Sequence, residues 1–270
     1  MQLKLLIKAA LPLFAILHVP TTVLASDTAK EKRWESQIVD SLLVGEGIKL
    51  KAGTTEFLAI FAENNTEEAQ GAAIVLHGSG VHPNWPDVVY PLRTQLPDFG
   101  WATLSLQMPV LGNDASYEAY APLFDEVAPR IKAGVEYLKK KGIQNIVIIA
   151  HSLGASMGAY YLSQNADPAV RGFVAIGIRG KAPDDRMNGE LSLRKIKLPV
   201  LDIYGSEDLD FVLKTVKGRH IAATKAGNKR YQQLQIAGAN HFFNGLSEEL
   251  VKRVRGWLES NAAGMELKVK

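Results

Sequence analysis

Asn145-Ile146-Val147-Ile148-Ile149-Ala150-His151-Ser152-Leu153-Gly154-Ala155-Ser156-Met157-Gly158-Ala159 decides how this chain folds. An apolar, β-branched run stops at Ala150-His151-Ser152-Leu153-Gly154, and small, helix-compatible residues follow. That is the layout of a nucleophile elbow, a sharp strand-to-helix turn that lifts a serine hydroxyl clear of its own backbone. The pentapeptide is weak by itself, because a small-x-Ser-x-Gly match arises by chance in about one chain in five of this length. The reading therefore depends on what else the chain supplies: a base, an acid to orient it, and donors for an oxyanion.

The flanking elements alternate. Gly47 to Lys51 and Glu56 to Phe61 are expected as a leading pair of strands, separated by the turn residues Gly53 and Thr54. Ala72 to Leu76 is a short, continuous apolar strand of the kind buried on both faces. Asp87 to Leu96 reads as a helix, Trp101 to Leu106 as a strand, Phe124 to Lys141 as an amphipathic helix and Asn145 to Ala150 as a buried strand. Gly172 to Ile178, Val200 to Tyr204 and Tyr231 to Ile236 continue the strands. Asp208 to Ala226 contains a helix, and Ser247 to Ser260 forms another. This order predicts an α/β protein with a mostly parallel, doubly wound sheet and helices on both faces. In such sheets the chemistry lies beyond the carboxyl ends of the strands.

Three strand ends carry candidate groups. His77-Gly78-Ser79-Gly80 follows the Ala72–Leu76 strand, and its glycines let the backbone approach a substrate closely. The expected oxyanion donors are the N–H groups of Ser79, with Gly80 as the alternative, and of Leu153. His77 is read as structural. Past Tyr204, Gly205-Ser206-Glu207-Asp208-Leu209-Asp210 crowds three acids at one strand end. The Gly-x-x-Asp spacing selects Asp208 to orient an imidazole, with Glu207 and Asp210 as alternatives and Asp210 read as a helix cap. After the last strand, Ala237-Gly238-Ala239-Asn240-His241 places His241 where it can reach over the sheet and act as general base. The other histidines fit less well: His18 lies in the leader, His220 in a Lys/Arg-rich helix and His82 in a separate loop. His151 belongs to the elbow and is expected to line a pocket. His82 and Trp85 have two readings, an aromatic wall of the substrate pocket or packing that fixes their loop.

The chain order Ser152, Asp208, His241 is that of the α/β hydrolases, which the chain beyond residue 25 resembles throughout. More narrowly, Leu76-His77-Gly78-Ser79-Gly80-Val81-His82-Pro83-Asn84-Trp85-Pro86, Pro91-Leu92-Arg93 and Gly100-Trp101-Ala102-Thr103-Leu104-Ser105-Leu106-Gln107-Met108-Pro109 resemble a family of exported bacterial α/β-hydrolase-like proteins of unknown function. That similarity spans roughly residues 70 to 245. It implies the α/β-hydrolase fold and a periplasmic setting, and no particular substrate. Ala150 departs from the pattern, which has glycine at the start of the elbow, where the following helix crosses close behind the strand.

Met1 to Lys8 carries Lys4 and Lys8, Ala9 to Leu24 is mostly apolar, and Val23-Leu24-Ala25 suits a signal peptidase. Residues 1–25 are thus expected as a signal peptide cleaved before Ser26, with a single domain over residues 26–270. The apolar run falls short of the roughly 20 residues a membrane span needs, and no later segment supplies one. Losing the leader lowers the formal charge from +3 to +1, and Lys139-Lys140-Lys141 reads as the solvated end of a helix. A nearly balanced chain without a basic stripe is not a nucleic-acid binder. The absence of cysteine excludes disulfides, a thiolate nucleophile and a zinc–thiolate site. No metal or organic cofactor is called for, and no motif sets an oligomeric state. Only about twenty residues separate the strands ending at Ile178 and starting at Val200, so little or no lid is expected. The predicted activity is hydrolysis of a small or medium carboxylic ester by Ser152, His241 and Asp208 through an acyl-enzyme. Thioester or amide cleavage, acyl transfer to an envelope polymer, and a catalytically silent binding protein are the alternatives.

Overall fold

A computed structural model describes residues 25–164 and 167–264. The leader expectation falls on residues 1–24, outside the described residues, and on Ala25, which is exposed.

Eight strands form: β1 (Glu46–Ala52), β2 (Thr55–Ala62), β3 (Gly71–Leu76), β4 (Trp101–Leu106), β5 (Ile146–His151), β6 (Val170–Ile176), β7 (Val200–Glu207) and β8 (Tyr231–Asn240). They make one sheet in the order β1-β2-β4-β3-β5-β6-β7-β8. β2 runs antiparallel to both β1 and β4, and every pairing from β4 through β8 is parallel. The crossing of β3 and β4 puts β3 beside β5, with Leu76 opposite Ala150. The ends of those two strands therefore open at the same level.

Helices cover both faces, as the doubly wound reading predicts: α1 (Thr28–Val39), α2 (Val89–Gln95), α3 (Phe124–Lys140), α4 (Leu153–Gln164), α5 (Gly189–Leu193), α6 (Asp210–Leu213), α7 (Val216–Lys225) and α8 (Ser247–Asn261). Alternate strand residues point to opposite faces. Ile74, Leu76, Ile146 and Ile148 pack with α3 and α4 through Ile131, Val135, Met157 and Tyr161. Ala73, Val147 and Ile149 pack with α2 and α8 through Leu92, Leu250, Val254 and Trp257. Between β6 and β7 there is one 3₁₀ turn (Asp185–Met187) and the short α5, so the fold carries little or no lid.

Some boundaries differ from expectation. The strand read over Gly172–Ile178 runs from Val170 to Ile176 and stops where Gly177 takes φ +60°. Asp210 does not cap its helix: Leu209 is at the cap, and Asp210 opens the first turn paired to Lys214. α1 was not expected. Asp27 caps it by accepting the Lys30 N–H at 2.9 Å, and Trp34 and Ile38 pack on Leu58 and Ile60 of β2.

Candidate active site

The elbow is built by backbone geometry. β5 ends at His151, α4 begins at Leu153, and Ser152 between them takes φ +56°, a left-handed conformation rare for a residue with a Cβ. Such a residue costs about 1–3 kcal/mol and persists only where its surroundings fix it. Here the Ser152 N–H donates to Ile176 O at 2.8 Å, and its carbonyl accepts the Ala155 N–H at 3.0 Å. α4 then passes against the end of β3: a Cβ on Gly154 would lie 2.3 Å from His77 O and 2.8 Å from Leu76 O. Both obstacles are backbone, so Gly154→Ala is expected to lose about 2–4 kcal/mol of stability through overpacking, read as a lower urea midpoint. An unchanged midpoint would show that α4 can step back. Ala150, where the elbow opens, is buried in the core beneath α4.

Two further strand ends meet this serine. Ser152 Oγ–H donates to His241 Nε2 at 2.9 Å, and His241 Nδ1–H donates to Asp208 Oδ1 at 2.6 Å. An ionised carboxylate only accepts, which places the imidazole proton on Nδ1 and leaves Nε2 free to take the hydroxyl proton. Burial opposes the charge on Asp208. The His241 ring and the N–H groups of Leu209 (2.8 Å) and Gly205 (3.2 Å) outweigh it, and the carboxyl sits below its ordinary range. Gly177 was not singled out in the sequence, yet a Cβ there would fall 2.9 Å from His241 Cε1. Its glycine after β6 is the signal that would have found it. Glu207, the alternative acid, is exposed.

The loop after β3 comes to the same place. A Cβ on Gly78 would lie 3.2 Å from Ser152 Cβ. The Gly80 N–H, the alternative oxyanion donor, is engaged with Tyr120 Oη at 3.1 Å. The Leu153 amide opens α4, where first-turn N–H groups have no intrahelical acceptor. His77 holds the loop from below: its Nδ1–H donates to Gly78 O at 2.8 Å, and Nε2 accepts the Met108 N–H at 2.9 Å. Complete burial pushes its pKa down to about 3, so it stays neutral.

His151 does a similar job for the base. Its Nε2–H donates to His241 O at 2.9 Å, and its ring lies 4.8 Å from the His241 ring and 5.9 Å from that of Phe242. Burial, with the His241 ring adding to it, pushes its pKa down to about 3. The residue expected to line a pocket thus steadies the His241 segment. Arg179 is engaged as well: it pairs with Glu118 at 2.9 Å and lies over Tyr117 and Phe211, whose ring is 6.2 Å from that of His241. No cluster of three or more His, Asp or Glu among the described residues is arranged to hold a metal ion.

Solved structures that match include dienelactone hydrolase from Anabaena variabilis, with TM-score 0.65 and 16% identity over 81% of this chain and 98% of that one. Est1E from Butyrivibrio proteoclasticus matches with TM-score 0.61 and 18% identity, covering 80% and 98%. XC6422 from Xanthomonas campestris, a serine hydrolase without a lid, matches with TM-score 0.63 and 14% identity, covering 81% and 95%. At such identities the likeness shows the α/β-hydrolase fold. No curated protein matches the chain in sequence. The family profile described as protein of unknown function (DUF3530) matches residues 18–126 and 113–260. The chain belongs to the DUF3530 family.

The segments on which the sequence resembles exported α/β-hydrolase-like proteins of unknown function have a physical role. Pro83 O accepts the Ser105 hydroxyl at 2.7 Å, and Arg93 Nε donates to Asn84 Oδ1 at 2.8 Å. The Gln107 side-chain amide donates to Met108 O at 2.7 Å and faces His77 Nε2 at 3.0 Å. His82 sits between Trp34 of α1 and Trp85, with ring centroids 5.4 Å from each. Burial holds its pKa down at about 4. Of its two readings, the contacts are those of loop packing. No ring contact or hydrogen bond joins His82 or Trp85 to Ser152, His241 or Asp208 among the described residues.

Proposed function

We propose that this protein is a serine hydrolase acting on a small or medium carboxylic ester. The reading is carried by one observation, the series Ser152 Oγ–His241 Nε2 at 2.9 Å and His241 Nδ1–Asp208 Oδ1 at 2.6 Å. Ser152 Oγ attacks the acyl carbon while His241 Nε2 takes its proton, and the charge forming on the carbonyl oxygen is met by the N–H groups of Ser79 and Leu153. His241 returns the proton to the departing alcohol, leaving an acyl-Ser152. Water, deprotonated by the same nitrogen, then releases the acid and restores the serine. Asp208 keeps its charge throughout and stabilises the imidazolium.

The surroundings favour modest substrates. Leu209 and Phe242 remain exposed beside Asp208 and His241 and give the site an apolar rim. The short α5 connection adds no apolar cap. The structures similar in fold include Est1E from Butyrivibrio proteoclasticus and an esterase from Pyrococcus furiosus. The leader-like residues 1–25 extend the proposal to a periplasmic or secreted enzyme of one domain, residues 26–270.

A fluorophosphonate probe should label the wild-type protein, and Ser152→Ala and His241→Ala should abolish labelling. Wild-type protein that stays unlabelled would favour a silent binding protein of the same fold. Soluble short-chain esters are expected to turn over faster than emulsified long-chain triglyceride, and the reverse order would overturn the substrate class. Thioesters, peptides and alcohol acceptors in the same panel separate hydrolysis of esters from the other acyl chemistries.

A further inference from the structure

The chain becomes anchored at Ser26. Ala25 is exposed, whereas Ser26 is 8% exposed and all its polar atoms are engaged. Its N–H donates to Glu126 Oε1 at 2.9 Å, its hydroxyl donates to Glu31, and the same oxygen accepts the Val110 N–H at 2.8 Å. Glu31, on α1, pairs through both oxygens with Arg130 of α3 at 3.0 Å, and Glu126 meets Arg130 at 3.3 Å. Arg130 and Glu31 are buried.

The charges in this cluster do not balance: two carboxylates, Glu31 and Glu126, face one guanidinium. Among the described residues, the neighbouring Lys30 does not supply the difference. Lys30 Nζ is directed onto Leu111 O at 2.9 Å and Asn113 Oδ1 at 2.7 Å, and Asp27 is engaged as the cap of α1. Burial holds the Glu31 carboxyl above its ordinary range; Arg130 and the Ser26 hydroxyl oppose this, and the charge of Glu126 adds to it.

We infer that cleavage between Ala25 and Ser26 supplies the missing cation: the new α-ammonium of Ser26 stands at the nitrogen already 2.9 Å from Glu126 and locks α1 onto α3. Hydrolysis of that one peptide bond leaves the carboxylate on the departing leader and the ammonium on the mature chain. A hydrogen bond from a neutral amide becomes a charge-assisted one, the stronger kind. A relay of contacts joins the lock to the serine. Arg130 Nη1 donates to Gln107 O at 2.9 Å, Gln107 and Met108 hold His77, and His77 holds Gly78 against Ser152. The inference rests on cleavage after Ala25 and not on the chemistry assigned to Ser152.

Two forms of the mature chain test it: one beginning at Ser26 with a free amine, released from a fusion partner with no residue left over, and one carrying an added Gly-Ser before Ser26. Each is made in wild type and in Glu126→Gln. The free-amine wild type is expected to melt about 4 °C above its extended form, and the gap should close in Glu126→Gln. Equal melting of the two wild-type forms, or a gap that survives Glu126→Gln, would overturn the lock. Mass spectrometry of the protein exported from its full-length gene should find Ser26 at the amino terminus, and another start would overturn its origin in processing. Ester turnover enters none of these measurements, so the lock and the hydrolase reading fail separately.

Discussion

Alanine at His241 is expected to lower kcat/KM for a short-chain ester on the order of 10⁵-fold, about as much as alanine at Ser152, with the double variant losing no more. The reason is the single hydrogen-bonded series from Ser152 Oγ to Asp208. Without the imidazole, the serine hydroxyl keeps its proton at neutral pH and is a weak nucleophile. Without the hydroxyl, the imidazole has nothing to activate. Either deletion removes the same function, so the losses should not add. What remains belongs to the oxyanion loop and to binding. Asp208→Asn should be milder, about 10⁴-fold, since the amide favours the wrong imidazole tautomer without removing the base. Steady-state kinetics of the four variants decide it. Additive losses from Ser152→Ala and His241→Ala would mean that the two groups act in separate steps.

Acid should destabilise the protein between about pH 6 and pH 4. His77 and His151 are both buried and held neutral, each with its pKa down at about 3 against an ordinary 6.5. The unfolded chain takes up a proton at each position as pH falls through 6.5, while the folded chain does so only near 3. Their contribution is therefore fully present above the ordinary value and is lost progressively as pH falls towards the folded one. Each costs about 1.4 kcal/mol per pH unit within that window, so the pair removes on the order of 2–3 kcal/mol per unit. His82, half-buried with a pKa near 4, acts in the same sense with a smaller share. A fold of ordinary stability has about 5–15 kcal/mol to lose. Urea midpoints at pH 8, 6 and 5 should fall steadily. His151→Gln, which cannot titrate but still offers an N–H to His241 O, should reduce the slope by about half. A midpoint constant from pH 8 to pH 5 would show that neither ring resists protonation as its surroundings require.

Much of the fold is legible wherever burial is continuous. β4 runs over Trp101–Leu106 as the sequence predicts, because all six residues are buried and flanked by Gly100 and a polar Gln107. β8 continues past Ile236 to Asn240 because its backbone pairs with the bulged end of β7, a match that side-chain pattern does not encode. α1 escapes the pattern because its apolar contacts, Trp34 and Ile38, are sparse and find partners in β2 and the His82 loop, far from it in sequence. At the site, Ser152, Asp208 and His241 stand out by residue type at strand ends. The side chains that hold them do not. Arg130 reaches a main-chain carbonyl at Gln107, His151 one at His241 and His77 one at Gly78. A carbonyl has no letter in the sequence, so such braces become visible only once the chain is folded.

The three groups of the series come from the ends of β5, β7 and β8, with β6 lying between the first two. Asp208 and His241 are brought together by one βαβ unit, in which α6 and α7 carry the chain from β7 to the adjacent, parallel β8, whereas Ser152 reaches them only across β6. Ser152 and His241, separated by 89 residues, meet only once β6, β7 and β8 are all in place beside β5. A chain still emerging, or one misfolded at that edge, therefore carries an unarmed serine. Covalent labelling of Ser152 then doubles as a count of correctly finished molecules, whatever acyl group the enzyme takes.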